Sequence, residues 1–382
     1  MRRLLIRYVS HGFPTGYGEA GRRLVHALTR EGVSIQWLPI QFKADAPLLP
    51  SGYRSRMPDL EPLRSTPGSP DLVVVHSVPE VLPYMARIHP RGVPLVAHTV
   101  WEADELQSHW CALLNSCDAV VVPTAWNADS FRRAGVDVPV VVVPHVASID
   151  EADPDAYTWL GPRGIDAGKS FVVHSIATWT SRKAPWLAVE AYARAFGPED
   201  DTLLVLRTDA LADRGVATPP GPEARRSQTS WSVAHILHRN APTGRVRLVC
   251  EHRSRAELVA LHRRSDCWLS LPHAEGWCLG SFDAAATGTP VVTTGHGGPL
   301  AYLDRDVAHL VPSHPMAAPG LDGVTWAAPD MDAAVEALRH VRRDPRGARK
   351  AAAVAGEGLR RLFAPEVVAR RFIDSLEEVG VI

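Results

Sequence analysis

Residues 267–292 read CWLSLPHAEGWCLGSFDAAATGTPVV. An apolar run opens the stretch and ends at Leu271. A loop holding Gly276 and Gly280 follows, then a short helical pattern to Gly288 and a second apolar run at 290–293. Runs that are apolar throughout, instead of alternating, belong to strands covered on both faces. Strand, helix and strand in so short a span form the repeating unit of a parallel sheet with right-handed crossovers. The same signal recurs outward in both directions. Strand-length runs lie at 171–176, 203–206, 246–250 and 309–311, and in the first part at 4–9, 72–75, 95–97, 119–122 and 140–143. Helical patterns separate them at 19–30, 125–134, 185–196 and 256–263, and the first carries Leu24, Val25 and Leu28 on one face. A last helical pattern, 365–379, puts Val368, Phe372 and Leu376 on one stripe. Two such series predict an α/β chain of two Rossmann-like domains with parallel sheets.

The chain has 382 residues, which suits two domains. Hydrophobic residues make up 46% and charged residues 22%, the balance of a globular protein rather than a disordered or fibrous one. Lys+Arg number 41 and Asp+Glu 42, so no global basic field exists to hold nucleic acid or an anionic membrane. No apolar run reaches the roughly 18 residues of a transmembrane segment, and the basic opening has too short an apolar core for a signal peptide. Five cysteines at scattered spacings read as reduced thiols in a cytoplasmic protein, with no zinc pattern among them. Arginine far outnumbers lysine, and alanine, valine and proline abound, as in a G+C-rich genome. The Asp-, Gly- and Pro-rich stretch 148–168 predicts the domain boundary, giving domains at 1–150 and 169–364 joined by a linker at 151–168. Stretches 41–70 and 209–229 read as long loops, which are unusual unless they bind or move.

Four places could carry chemistry. His11 to Glu19 is a Gly-rich turn running from a strand into a helix, a form that offers backbone N–H groups to an anion. Its spacing is not the dinucleotide fingerprint, and a bare structural turn explains Gly16 and Gly18 as well. Arg182 and Lys183 stand where the strand at 171–176 hands over to a helix, at the end of the sheet where α/β ligands bind. Cations at a helix N-terminus are disfavoured unless an anion joins them, so the pair suits a diphosphate, with two solvated surface charges as the alternative. In the opening stretch, Glu275 stands at the loop mouth, Ser281 offers an N-cap, and Asp283 falls in the first helical turn. Two carboxylates would then flank amides suited to a phosphate, unless one is a surface acid and the other a capping acid. His98, Trp101 and Glu102 follow the strand at 95–97. His98 and Glu102 together could position a reacting hydroxyl, and Trp101 and Trp110 could stack on a sugar or simply pack the core. The stretch 164–170, GIDAGKS, imitates a P-loop but precedes a strand instead of following one, which leaves Lys169 as a linker residue.

Taken together, segments 12–28, 98–149, 170–196 and 246–299 resemble the retaining GT-B glycosyltransferases of glycosyltransferase family 4. The most specific mark is a pair of acids separated by seven residues, here Glu275 and Asp283. The resemblance implies GT-B architecture, with two Rossmann-like domains facing a central cleft and residues 365–382 returning as a helix to the N-terminal domain. It implies a donor, a nucleotide-diphosphate sugar, held mostly by the C-terminal domain, and a small-molecule acceptor on the N-terminal side. His98, Lys183 and Glu275 match the catalytic group. Gly16, Gly18, Arg182, Gly276, Trp277, Cys278, Leu279 and Asp283 match donor contacts, and Trp101 and Glu102 fall on the acceptor side. Transfer would retain anomeric configuration with no metal and no cofactor beyond the sugar nucleotide. The host composition fits natural-product assembly. Asp283 is one methylene shorter than the family's usual Glu, and Ala177 or Thr178 stands where the family often has arginine. A sugar-nucleotide epimerase, a phosphorylase on the same fold, or a non-catalytic sugar-nucleotide binder are the competing readings.

Overall fold

The computed structural model describes residues 3–43, 46–48, 55–147, 171–208, 233, 236 and 245–382. The expected linker at 151–168, Lys169 and the expected loop at 209–229 lie outside the described residues. The chain forms two compact units, Met1–Ser148 with Leu362–Ile382, and Ile149–Arg361.

Unit 1 begins with β1 (Leu5–His11), α1 (Gly16–Arg30), β2 (Ser34–Lys43) and β3 (Ala46–Leu48). It continues through β4 (Leu72–His76), α2 (Leu82–Met85), β5 (Leu95–His98), α3 (Ser108–Leu114), β6 (Ala119–Val122), α4 (Ala125–Arg133) and β7 (Val140–Val142). Its sheet has the order β3-β2-β1-β4-β5-β6-β7. All neighbours are parallel except β2 and β3. β4, β5 and β6 are buried at every position, so the unbroken apolar runs in their sequences are the signature of two covered faces. α1 shows how local chemistry sets an element's ends. The Thr15 hydroxyl caps its start by accepting from the Gly18 amide, and Gly32 ends it at φ 90°. There the Val33 amide donates to Leu28 and the Gly32 amide to Thr29, the paired closure of a Schellman motif.

Unit 2 runs β8 (Phe171–Ile176), α5 (Pro185–Ala195), β9 (Thr202–Arg207), β10 (Arg245–Val249), α6 (Arg255–Arg264), β11 (Cys267–Ser270), α7 (Leu279–Ala286), β12 (Val291–Thr294) and β13 (Ala308–Val311). A hairpin of β14 (Ser313–Ala317) and β15 (Thr325–Pro329) follows, then α8 (Met331–Arg343) and α9 (Pro345–Leu362). Its main sheet is parallel in the order β10-β9-β8-β11-β12-β13. The chain's final helix, α10 (Pro365–Glu378), packs in unit 1, where Val368, Ala369, Phe372 and Leu376 join the core built on Tyr8, Leu24 and Val96.

The α/β class with two Rossmann-like, parallel-sheet units is therefore the one observed. In each sheet the chain first builds outward one way and then resumes on the other side of the first strand. The reversal falls between β1 and β4 in unit 1 and between β8 and β11 in unit 2. Such reversals leave a crevice at the carboxyl ends of the two strands, where α/β folds bind ligands. Among the described residues, no helix is long and apolar enough to cross a membrane.

One expectation needs correction. Stretch 41–70 is not a bare loop, since β2 extends into it to Lys43, β3 follows, and a 3-10 turn covers Glu61–Ser65. Pro39 inside β2 hid that strand. It is tolerated because β3 pairs only with Gln41–Lys43, so no ladder bond is lost on the outer side at Pro39.

Candidate functional site

The reversal point of unit 2 gathers charged residues from two loops. The loop after β8 carries Arg182 and Lys183, and the loop after β11 carries Glu275. Lys183 Nζ lies 2.8 Å from Glu275 Oε1, and an Arg182 terminal nitrogen lies 3.2 Å from Oε2. The same arginine donates to the Ala274 carbonyl at 2.8 Å, and the Arg182 carbonyl accepts from the His273 amide at 2.8 Å. The two loops are thus stitched together by backbone and side chain alike. Glu275 is only 7% exposed. Burial would raise its pKa, but the Lys183 and Arg182 charges and hydrogen bonds outweigh it and hold the carboxyl below the usual value. Two cations thus converge on one buried carboxylate.

The backbone here is held in unusual conformations. Among the described residues, only Ala184 (φ 41°) and Cys278 (φ 66°) are non-glycine with positive φ. Ala184 follows Lys183 and caps α5, and Cys278 lies in the Glu275 loop and caps α7. Left-handed conformations cost a side-chain-bearing residue about 1–2 kcal/mol and persist where the surroundings enforce them. The enforcing contacts are visible. The Tyr302 hydroxyl donates to the carbonyls of Trp277 and Cys278 at 2.7 and 2.9 Å. The Gly298 amide donates to the Glu275 carbonyl, and a Cβ on Gly298 would stand 1.9 Å from the Gly276 oxygen. Trp277, Phe282 and Tyr302 pack edge to face or tilted at 4.8–5.0 Å between centroids.

That geometry changes two assignments. Ser281 is not the N-cap of α7. The left-handed turn at Cys278 starts the helix earlier, and the Ser281 hydroxyl instead accepts from the Trp268 indole at 2.9 Å. Asp283 accordingly lies beyond the first turn of α7. It is buried at 8% exposure, with an Arg255 nitrogen 3.9 Å away. Burial keeps the Tyr302 phenol protonated, and the nearby Glu275 and Asp283 carboxylates push its pKa the same way. Arg255, the first residue of α6, gave no signal in the sequence, because an arginine after a capping Ser254 reads as an ordinary surface charge. Gly276, Trp277, Cys278 and Leu279 form the turn itself. The first N–H groups of α7 have no acceptor within their own helix.

The reversal point of unit 1 is lined by histidines. His11, His76 and His98 end β1, β4 and β5, and each is buried. His76 and His98 lie in register on neighbouring strands with rings stacked 3.7 Å apart and 2° from parallel. The Tyr8 hydroxyl lies 2.7 Å from His76 Nδ1 and 3.4 Å from His98 Nδ1. The His145 ring stands 6.3 and 6.4 Å from the two. Burial lowers the pKa of His76 and His98 well below the usual value, their histidine neighbours add to it, and burial brings His11 to about 4. His11, His76 and His98 are therefore neutral at pH 7. The sequence pointed to His98 but not to His76, Tyr8 or His145: His76 closes an apolar strand and Tyr8 sits inside one, where each reads as part of the run, and His145 stands alone past β7.

Gly16 and Gly18 open α1 beside this cluster. A Cβ on Gly18 would stand 2.1 Å from the Phe13 oxygen, whereas one on Gly16 would meet nothing within 4 Å. Gly18 is therefore required by packing, and the exposed Gly16 is the residue that leaves the helix start approachable. Trp101 is a core residue, 8% exposed, with its ring edge-on to Trp110 at 4.9 Å and its indole donating to the Glu105 carbonyl. Glu102 is half-buried, and its charge adds to burial in raising the Tyr17 pKa. The Tyr17 hydroxyl lies 3.1 Å from Thr99 Oγ1.

No family model matches the chain, and no curated protein matches it. Solved structures do share its fold. A sucrose-phosphate synthase (tll1590) from Thermosynechococcus elongatus superposes with a TM-score of 0.69 at 16% identity, covering 99% of each chain. Anabaena Alr3699/HepE, solved with UDP and glucose, gives 0.68 at 16% identity over 98% of this chain and 100% of that one. A UDP-forming α,α-trehalose-phosphate synthase from Burkholderia vietnamiensis gives 0.64 at 15% identity over 99% of both.

Proposed function

We propose that this chain is a metal-independent, retaining glycosyltransferase. It takes a sugar from a nucleotide-diphosphate donor, with UDP as the first nucleotide to test, and passes it to a hydroxyl of a small-molecule acceptor. The observation that carries the reading is the Arg182–Lys183–Glu275 cluster at the reversal point of a Rossmann-like sheet. The fold shared with proteins solved with UDP and glucose, or described as UDP-forming, supports the same reading.

In this reading Lys183 and Arg182 turn from Glu275 toward the donor diphosphate. Breaking the glycosyl–phosphate bond leaves extra negative charge on the departing oxygen. A preplaced lysine and the first amides of α7 stabilise that charge more in the transition state than in the ground state. Glu275, relieved of its cations, accepts hydrogen bonds from donor-sugar hydroxyls. Asp283 accepts from the ribose diol, with Arg255 beside it. The leaving phosphate serves as base for the incoming hydroxyl, so no enzyme nucleophile is required. We place the activity in the cytoplasm and in natural-product assembly.

The test is binding, then turnover. UDP or UDP-glucose at a hundred times its Kd would stabilise the folded state by about 2.7 kcal/mol and raise Tm by several degrees. With an alcohol panel as acceptors, Lys183→Ala is expected to lower UDP release about 10²–10³-fold, with an unchanged circular dichroism spectrum. A wild-type Tm indifferent to every nucleotide sugar tested, or a Lys183→Ala variant with full turnover, would overturn the reading.

A further inference from the structure

β13 is the last strand of the main sheet in unit 2, and among the described residues no strand pairs its outer side. Two hollows meet along it. One, about 290 Å³, opens at its amino end between Arg305 and His340, over alanines of α9. The other, about 300 Å³, follows the strand to Pro312 beside Ala333 and Ala337 of α8. They share Arg305, Ala308 and His309, so they are two lobes of one groove with a polar waist. The first lobe reaches Pro290 and Val291, where β12 starts, whereas the Glu275 loop follows the far end of β11. β11 and β12 are parallel neighbours, so this lobe stands at the end of the sheet opposite to the Arg182–Lys183–Glu275 cluster.

The polar side chains of the groove are uncommitted. Among the described residues, the exposed Arg305 has no ion pair and no hydrogen bond. The half-buried His309 and the exposed His340 have no hydrogen bond either, and their rings stand edge to face at 5.2 Å. The acids nearby are engaged or lie to one side. Asp304 Oδ1 accepts from the Asp306 and Val307 amides at 2.9 and 3.0 Å. Asp306 and Asp344 border the first lobe, and in the second lobe Arg305 is the one charged residue among the described lining.

Charge and amide supply decide what such a groove takes. α8 and α9 both start beside it, but each start is closed by the protein's own carboxylate. Asp330 accepts from the Asp332 and Ala333 amides at 2.9 and 3.0 Å, and Asp344 from the Gly347 amide at 2.9 Å. These aspartates occupy the amides that would otherwise cradle a phosphate. A single guanidinium balances a single negative charge, and its planar fork matches a carboxylate. Leu310, Val311, Pro312, Ala333 and Ala337 make the rest of the second lobe apolar, where a ligand's apolar body sheds its water.

We propose that this groove binds a small organic monocarboxylate, with the carboxylate on Arg305 beside His309 and the apolar body in the lobe between β13 and α8. The site lies wholly within unit 2 and does not depend on the glycosyltransferase reading.

The experiment is a ligand-observed NMR titration of the full chain with benzoate and with benzamide, its uncharged isostere, and a competition with inorganic phosphate. Benzoate is expected to bind with a Kd of about 1 mM or below, as suits a ligand of so few atoms. It should bind about tenfold tighter than benzamide, the margin of a charge-assisted pair. Arg305→Gln should bring benzoate down to the benzamide level and leave benzamide unchanged. Ala337→Leu fills the second lobe and should weaken both. Lys183→Ala removes a cation at the other end of the sheet and should leave benzoate binding as it was. Equal affinities for benzoate and benzamide, full benzoate affinity in Arg305→Gln or Ala337→Leu, or a loss in Lys183→Ala instead, would overturn the proposal. Phosphate that displaces benzoate at equal concentration would overturn the carboxylate class. If Ala337→Leu does not fold, Arg305→Gln decides, since that side chain is exposed and holds no contact the fold needs.

Discussion

Cys278 tests how much the loop's shape depends on enforcement by its neighbours. At φ 66° a glycine sits without steric cost, so Cys278→Gly removes about 1–2 kcal/mol of backbone strain. It also adds about 0.5–1 kcal/mol of unfolded-chain freedom. The expected net effect is a gain of up to about 1 kcal/mol in urea unfolding. A loss above about 1 kcal/mol would mean that the thiol, 3.2 Å from the Ser281 hydroxyl, packs more favourably than its backbone is strained. Gly18 and Gly16 form a second contrast. Gly18→Ala drives a methyl against the Phe13 oxygen and is expected to cost about 1–3 kcal/mol, while Gly16→Ala should fold normally. Legibility differed among these residues for a physical reason. Lys183 and Glu275 lie just past apolar strands, whose ends show in the sequence. The Asp283 assignment depended on where a helix begins, and a cysteine in a left-handed turn leaves no trace in composition or spacing.

At the scale of elements, α9 packs so closely on the α7–β12 connection that two glycines are compulsory. A Cβ on Gly356 would stand 2.6 Å from the Ala285 oxygen, and one on Gly288 would meet the Ala353 Cα at 2.9 Å. Gly356→Ala should therefore push α9 outward and cost about 1–3 kcal/mol in urea unfolding. Because α7 follows the Glu275 loop, the variant should also weaken UDP binding more than an equally destabilising change in unit 1. Equal UDP affinities in the two variants would break that link. Elements with one strong period were the legible ones. α1 and α10 showed their apolar stripes, and the buried strands showed as runs. β2 was not legible, since its Ser-Ile-Gln-Trp-Leu-Pro order mixes alternation with a proline. The β14–β15 hairpin carries His314 and Pro315 on a largely exposed surface and offers no run to detect.

Across the whole molecule, buried neutral histidines set the acid limit. His76, His98 and His174 are held well below their usual pKa by burial first and by neighbouring histidines second. Unfolding returns each to about 6.5. Above that pH neither state binds the proton, so no penalty exists. Below it the unfolded chain takes protons the folded one refuses, and each such histidine removes stability at up to about 1.4 kcal/mol per pH unit. Urea unfolding is therefore expected to weaken steadily from pH 6.5 to pH 4.5. Glu275, with its depressed pKa, withdraws its own contribution only at lower pH. A flat profile over that interval would contradict the burial of these rings. The two-unit division was legible because each sheet repeats the same strand and helix signal. The return of the last helix to unit 1 is a matter of tertiary packing that no local pattern encodes, and only the family resemblance implied it. It has a consequence for synthesis. Val368, Phe372 and Leu376 plug a core whose other buried walls come from between Ile6 and Val146. A ribosome working from the N-terminus therefore finishes every segment of unit 2 while unit 1 is still missing a wall. Nascent unit 1 must wait, with an open apolar seam, for the last helix to emerge, and that interval is when a chaperone would be most needed.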